Sequence, residues 1–243
     1  MNHYHTRSLR RASLIAGLAL ALIVVLSAFG NFVAIQPLVT PDDAPRTAID
    51  ISNSEALFRW GIASLILVVV LDIVVAAALL RLFEPVNRSL SITAAWFRAG
   101  YAAVYLVAIS QLVIALGLLG DPDQALRAID AYATIWLVGL ILFGVHLLLI
   151  GYLAYRSGFL AKVFGVLLVI AGLGYVADGF IAVLIPDPSI SIGQFTFVGE
   201  VALMFWLLIK GARKDFSDAE AGHHFDPDSR WLADHQSTPS TVA

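Results

Sequence analysis

The sequence predicts an all-α, polytopic membrane protein: a six-transmembrane-helix bundle built from antiparallel hairpins, with the N- and C-termini both inside. Three observations predict it. Hydrophobic residues make up 59% of the 243 and charged residues only 14%, against roughly half and a quarter in soluble domains, and the mean hydropathy is +0.84. The apolar residues gather into six runs that meet or approach the ~20 helical residues needed to cross a hydrocarbon core of about 30 Å. Finally, Lys and Arg sit on one side of the alternating loops, as positive charge retained in the cytoplasm requires. The lipid bilayer is therefore the first partner. The net charge of −3 gives no nucleic-acid partner. Without a cysteine there is no disulfide, thiolate nucleophile or Cys-ligated metal.

The spans run from about Ala12 to Val39, Ala56 to Phe83, Ile92 to Leu119, Tyr132 to Tyr155, Val163 to Ile185 and Ile192 to Ile209. Polar, Pro-bearing or charged breaks separate them, at Thr40–Glu55, Glu84–Ser91, Gly120–Asp130, Arg156–Lys162 and Pro186–Ser191. Breaks this short pack neighbouring helices as hairpins. A barrel is excluded because the runs lack apolar/polar alternation. The first run follows Arg7, Arg10 and Arg11, but it is nearly twice the length of a cleaved signal's apolar stretch and lacks a clean small-residue site, so it reads as a retained helix. With the N-terminus inside, the cytoplasmic segments hold 11 Lys and Arg, and the outward loops hold two, Arg46 and Arg127. The chain thus divides into a cytoplasmic segment (1–11), a transmembrane domain (12–210) and a polar tail (211–243), whose composition reads as disordered and cytosolic. In that tail His223, His224 and His235 offer weak metal ligation, but solvated flexible chain is the better reading. No metal or cofactor is expected.

Ionisable groups inside a bilayer cost a few kcal/mol or more and turn to the bundle interior. Here they are Arg59, Asp72, Arg98, His146, Asp178 and Glu200. Counted in from the nearest helix end, they sort into two layers. The inner one holds Asp72, Arg98 and His146, with Tyr101 and Tyr105 on the face of Arg98 at i+3 and i+7. An Asp72–Arg98 ion pair with a neutral His146 accounts for it structurally. An anion or headgroup pocket on Arg98, or a proton relay through Asp72 and His146, is the functional alternative. The outer layer holds Asp178 and Glu200 at matched depth, with Arg59 as counter-charge and Tyr175 one turn before Asp178. Two close carboxylates do not both ionise cheaply, so one keeps a proton or a cation shares the site. A structural Arg59–acid network competes evenly with that reading. Glycines 172, 174, 179, 193 and 199 would let the last two spans approach closely. Trp60, Trp96, Trp136, Trp206, Tyr132 and Tyr155 read as interfacial anchors.

Several strings resemble a known family. They are Phe58-Arg59-Trp60-Gly61-Ile62, Leu82-Phe83-Glu84-Pro85-Val86-Asn87-Arg88-Ser89-Leu90, the stretch from Phe143 to Leu153 around His146, Tyr155-Arg156-Ser157-Gly158-Phe159-Leu160, Ala171 to Asp178, Gly199-Glu200, and Leu207 to Gly211. Together, from about Arg11 to Gly211, they resemble the bacterial membrane family catalogued as domain of unknown function 4386. The resemblance implies a multi-pass fold in the bacterial cytoplasmic (inner) membrane and carries no activity. Positions matching the family pattern are Arg59, Pro85, Asn87, Arg88, His146, Tyr152, Arg156, Ser157, Gly158, Tyr175, Asp178 and Glu200. Asp72 and Arg98 match less clearly, and Ala161 stands where the family usually has Pro. Read without the family, Pro85 and Asn87 are helix-stop and turn residues, and Ser157-Gly158 supplies a tight turn with a C-cap glycine.

Catalytic signatures are missing: no G-x-S-x-G, H-E-x-x-H or phosphate-binding glycine loop occurs. Three functions remain in order. The first is a non-catalytic bundle that binds or transports a small polar ligand, cation or lipid headgroup through Arg59, Tyr175, Asp178 and Glu200, with Asp72, Arg98, Tyr101 and His146 as a second cluster. The second is a scaffold or accessory subunit whose charge networks are structural, assembled as a homo-oligomer or with a membrane partner protein. The third is an intramembrane lipid-modifying enzyme.

Overall fold

The computed structural model describes residues 2–185 and 198–212. The tail histidines His223, His224 and His235, the Pro186–Ser191 break and the start of the last expected span lie outside them. All regular structure among the described residues is helical. In chain order it comprises α1 (Asn2–Ala28), which passes into a π-helical segment (Phe29–Ile35) and a 3-10 turn (Gln36–Leu38), then α2 (Ala44–Asn53), α3 (Glu55–Phe83), α4 (Arg88–Gly117), α5 (Pro122–Arg156), α6 (Lys162–Leu184) and α7 (Val198–Ala212). Five stretches are long and apolar enough to cross a membrane: Arg10–Leu38, Glu55–Phe83, Arg88–Gly117, Pro122–Arg156 and Lys162–Leu184. In α7 the apolar stretch among described residues is the shorter Gly199–Ile209.

Helix starts follow capping chemistry. Asp43, Asn87 and Asp121 each accept, through a side-chain oxygen, the backbone N–H three residues on, at 3.0, 3.0 and 3.2 Å. That satisfies a donor which the first helical turn leaves free. Pro45 and Pro122 sit in the first turns of α2 and α5, where a missing N–H costs nothing. These caps lengthen α5 to Pro122, ten residues before the apolar run begins at Tyr132. They also create α2, an amphipathic helix inside what reads as a loop in the apolar pattern. The turn after α5 is built as expected: Ser157 Oγ donates to the Ala154 carbonyl at 2.8 Å, and Gly158 takes φ +71°, a left-handed conformation that glycine adopts without strain.

Six of the described helices form a ring. Each of α1, α3, α4, α5 and α6 packs on the next, and α7 closes the ring by packing on both α6 and α1. Ser13 at the start of the ring donates to the Leu207 carbonyl at its close, 3.1 Å away. α2 lies outside the ring against α5. The core of buried residues runs down the centre, while large apolar side chains on the outer faces stay uncovered, among them Trp60, Val70, Trp96, Val107, Leu173 and Phe205. An uncovered apolar belt of this extent suits a lipid surface and not water.

The tightest seam joins α5 and α6. A Cβ placed on Gly144 would come 2.7 Å from the Gly172 carbonyl oxygen, and one on Gly172 would come equally near Gly144. Gly151 and Gly165 repeat the arrangement one heptad away, at 2.8 and 2.7 Å. The numbering rises on one helix as it falls on the other, so the backbones touch over two full turns. The sequence assigns a different set, Gly172, Gly174, Gly179, Gly193 and Gly199, to the seam between α6 and α7. The structure turns Gly172 and Gly179 to α5, and Gly199 approaches across the α6–α7 seam, against the Leu167 carbonyl. Small residues permit close approach, but which neighbour they meet depends on helical phase. We expect Gly144→Ala and Gly172→Ala each to destabilise the bundle by about 1–3 kcal/mol in reversible detergent unfolding. Gly117→Ala, whose new methyl meets nothing within 4 Å, should be neutral or slightly stabilising.

Candidate functional site

Arg98 lies three turns into α4 and is 3% exposed, in the middle of the ring. Its Nη2 donates to Asp72 Oδ1 of α3 at 2.5 Å. Its Nη1 lies 3.3 Å from His146 Nε2 of α5, and its Cζ stands 5.3 Å from the centre of the Phe143 ring. The tautomer of His146 follows from its partners. Nδ1 is 2.9 Å from the Ala94 carbonyl oxygen, which only accepts, and a guanidinium only donates. His146 therefore carries its proton on Nδ1, offers a lone pair from Nε2, and is the neutral imidazole. Asp72 and His146, at 3% and 1% exposure, are both spent on holding Arg98 in place.

Phe143 extends the cluster to the far side of the ring. Its ring packs against Tyr101 at 4.8 Å and against His146 at 5.9 Å, and meets Tyr175 of α6 edge-on at 5.6 Å. The Tyr175 hydroxyl lies close to the Glu200 carboxyl of α7. Glu200 in turn lies within electrostatic reach of Arg98 and Asp72. Two buried polar atoms here have no hydrogen-bond partner: Arg98 Nε, a donor, and Glu200 Oε1, an acceptor. One guanidinium thus faces two carboxyls, one engaged and one not.

This geometry redraws the two expected layers. The contacts Arg98–His146, Gly144–Gly172 and Gly199–Leu167 fix the register around the ring, and carried through those seams it sets Asp72, Arg98 and His146 at one level and the Glu200 backbone about one turn from it. Asp178, buried at 5% exposure, is eight residues beyond the α6 position at that level, roughly 12 Å along the axis. Glu200 belongs with Arg98, not at matched depth with Asp178. The spans differ in length, so counting each residue from its nearest end places level residues in different layers. Arg59 is not the counter-charge. It lies 13 residues before Asp72 on the same helix, about 20 Å away, and pairs with Glu55 at 2.6 Å with its side chain 61% exposed. An exposed pair of that kind contributes little.

Tyr101 joins the cluster through Phe143 and accepts a hydrogen bond from Trp136 Nε1 at 3.1 Å. Trp136 is therefore partly a core residue, and Tyr132 wholly so: its hydroxyl donates to Asn31 Oδ1 at 2.9 Å. Tyr105 packs beside Tyr132, their ring centres 6.5 Å apart. Asn31 sits in the π-helical segment, and its link to Tyr132 has no sequence signature. Phe143 carries no charge and was legible only as part of an apolar run. Among the described residues no group of three or more His, Cys, Asp or Glu can hold a metal ion.

Removing the central cation tests this arrangement. Arg98→Met leaves Asp72 buried without its counter-charge and should cost about 3–5 kcal/mol, whereas Arg98→Met/Asp72→Leu should regain most of it, both read from detergent unfolding at neutral pH.

Comparison with known proteins places the chain. An uncharacterized protein of Archaeoglobus fulgidus is 34% identical over 154 residues, which cover 63% of this chain and 85% of the relative. No solved structure matches. The family model described as "Domain of unknown function (DUF4386)" matches residues 15–211, from the first turns of α1 to the end of α7, and takes in every member of the Arg98 cluster. The chain belongs to that family.

Proposed function

We propose that this chain is a non-catalytic membrane protein that binds or transports a small polar ligand, a cation or a lipid headgroup through the cluster of Asp72, Arg98, His146, Tyr175 and Glu200. The observation that carries the reading is the pair of buried, unpartnered atoms, Arg98 Nε and Glu200 Oε1. A donor and an acceptor left free on facing helices, in a medium where an unmet polar group costs several kcal/mol, are what a polar ligand would satisfy. An enzyme reading has less support. His146 has both ring nitrogens engaged, which leaves it unavailable as a base.

The proposal includes the topology. The run Ile192–Ile209, whose first residues lie outside the described ones, is read as the sixth span, and the Lys and Arg asymmetry of the loops supports both termini in the cytoplasm. The membrane is the bacterial inner membrane, and Asp178 borders the site. A scaffold or accessory role, in a homo-oligomer or with a membrane partner, is the competing reading, favoured by the Asp72–Arg98 pair, which needs no ligand to explain it.

Native mass spectrometry of gently extracted protein separates them. We expect an ion, lipid or small molecule on the wild type that is lost in Glu200→Gln. A bare chain, or one carrying only a stoichiometric protein, makes the cluster structural. For orientation, the cysteine-free sequence is a clean background. In intact cells an impermeant maleimide should label Ser52→Cys in α2 but reach Ser89→Cys only after lysis.

A further inference from the structure

We propose that the turn end of the α5–α6 hairpin binds an anionic phospholipid, its headgroup phosphate held between Arg156 and Lys162 and an acyl chain laid along α6. The site lies apart from the Arg98 cluster. Arg156 follows His146 by ten residues on α5, about 15 Å along the axis, so each reading stands without the other. Arg156 is the last residue of α5 and Lys162 the first of α6. Both are exposed, and the turn between them, residues 157–161, carries no acid.

The close seam between the two helices sets these cations at one height. A Cβ on Gly165 would come 2.7 Å from the Tyr155 backbone nitrogen and 2.9 Å from the Tyr155 Cβ, so α6 starts against Tyr155. Lys162, about one turn before Gly165, reaches back over that residue, and its Nζ stands 5.4 Å from the centre of the Tyr155 ring. The ring face fixes the direction of a flexible side chain and leaves the ammonium donors free for oxygen acceptors. Arg156 directly follows Tyr155 and sits at i+4 from Tyr152, so guanidinium and phenol share a face of α5.

Charge and apolar surface together select the occupant. Among the described residues neither Arg156 nor Lys162 pairs with a carboxylate. Phe83 stacks on Phe159 at 5.9 Å, which brings the α3–α4 turn alongside, yet the acid of that turn, Glu84, is already taken by Arg88 at 3.3 Å. Two cations without an acid call for an anion. Lys162, Val166 and Ile170 fall at i, i+4 and i+8 on one stripe of α6, all exposed, and the stripe runs from the cation toward the middle of the bundle. Tyr152 and Tyr155 are exposed as well, and their amphipathic rings suit the headgroup level of a membrane. A phosphate with an acyl chain beneath it matches that order of groups. Free phosphate would use the cations alone.

Native mass spectrometry of the full chain in detergent, titrated with phosphatidylglycerol, phosphatidylcholine or inorganic phosphate, tests this. We expect one phosphatidylglycerol to be held about 30-fold more tightly than phosphatidylcholine, with about fivefold of that lost in Lys162→Met and nearly all of it in Arg156→Gln/Lys162→Gln. Arg127→Gln, near the opposite end of α5, should keep the full preference. Equal retention of the two lipids, or a preference that survives the double variant, overturns the proposal. Inorganic phosphate that displaces the phosphatidylglycerol at equal concentration also overturns it, because the ligand is then a free anion. If the double variant does not insert, Lys162→Met decides.

Discussion

A guanidinium brings a full charge and five N–H donors into the centre of an apolar ring, and most of the interior answers to that demand. Asp72 supplies a counter-charge from α3, and His146 offers a lone pair from α5 only because the Ala94 carbonyl fixes its tautomer. Phe143 covers the guanidinium face. The partners come from α3 and α5, on either side of α4, so satisfying Arg98 also sets the relative rotation and height of α3, α4 and α5.

A second polar chain runs beside the first. Asn31, Tyr132, Tyr105 and the stacked ring of Tyr101, 5.8 Å from Tyr105, extend from the π-helical end of α1 toward Phe143. Pro37 ends the regular ladder of α1, because it has no N–H and its ring crowds the carbonyl one turn earlier. The widened turns before it bring Gly30 and Ala34 against Ser64 and Gly61 of α3. Such π-turns recur at functional positions. Here the π-turn holds the Asn31 amide at the foot of the tyrosine stack.

The sequence made the membrane class, the helix cores and most interior charges legible, because hydropathy runs and rare buried charges are strong signals. α3, expected from Ala56 to Phe83, spans Glu55–Phe83, and the Asp72–Arg98 pair follows from two opposite charges at similar depth on adjoining helices. Where polar capping overrode hydropathy, at the starts of α2 and α5, the apolar pattern alone was silent, although Asp-x-Pro and Asp-Pro at those starts were readable. The partnership of Glu200 was hidden for another reason. Depth counted from an uncertain helix end shifts by several residues, and helical phase, which decides whom a side chain meets, depends on contacts no single helix encodes. Arg59 shows the same limit: its charge was visible, but its position at a helix end beside Glu55 made it a surface group.

The ring closes through a bond between residues 194 positions apart, Ser13 and Leu207, and that has a consequence for biosynthesis. α7 is the last of the described helices to leave the ribosome, and it carries Glu200. Between the synthesis of Arg98 and that of Glu200 lie 102 residues, about 5–20 s at ordinary elongation rates. Throughout that interval the nascent bundle has a gap in its wall beside a charged centre, open to lipid or to the insertion machinery. A polypeptide stalled or truncated before Val198 lacks both Glu200 and the helix that closes the ring on α1 and α6.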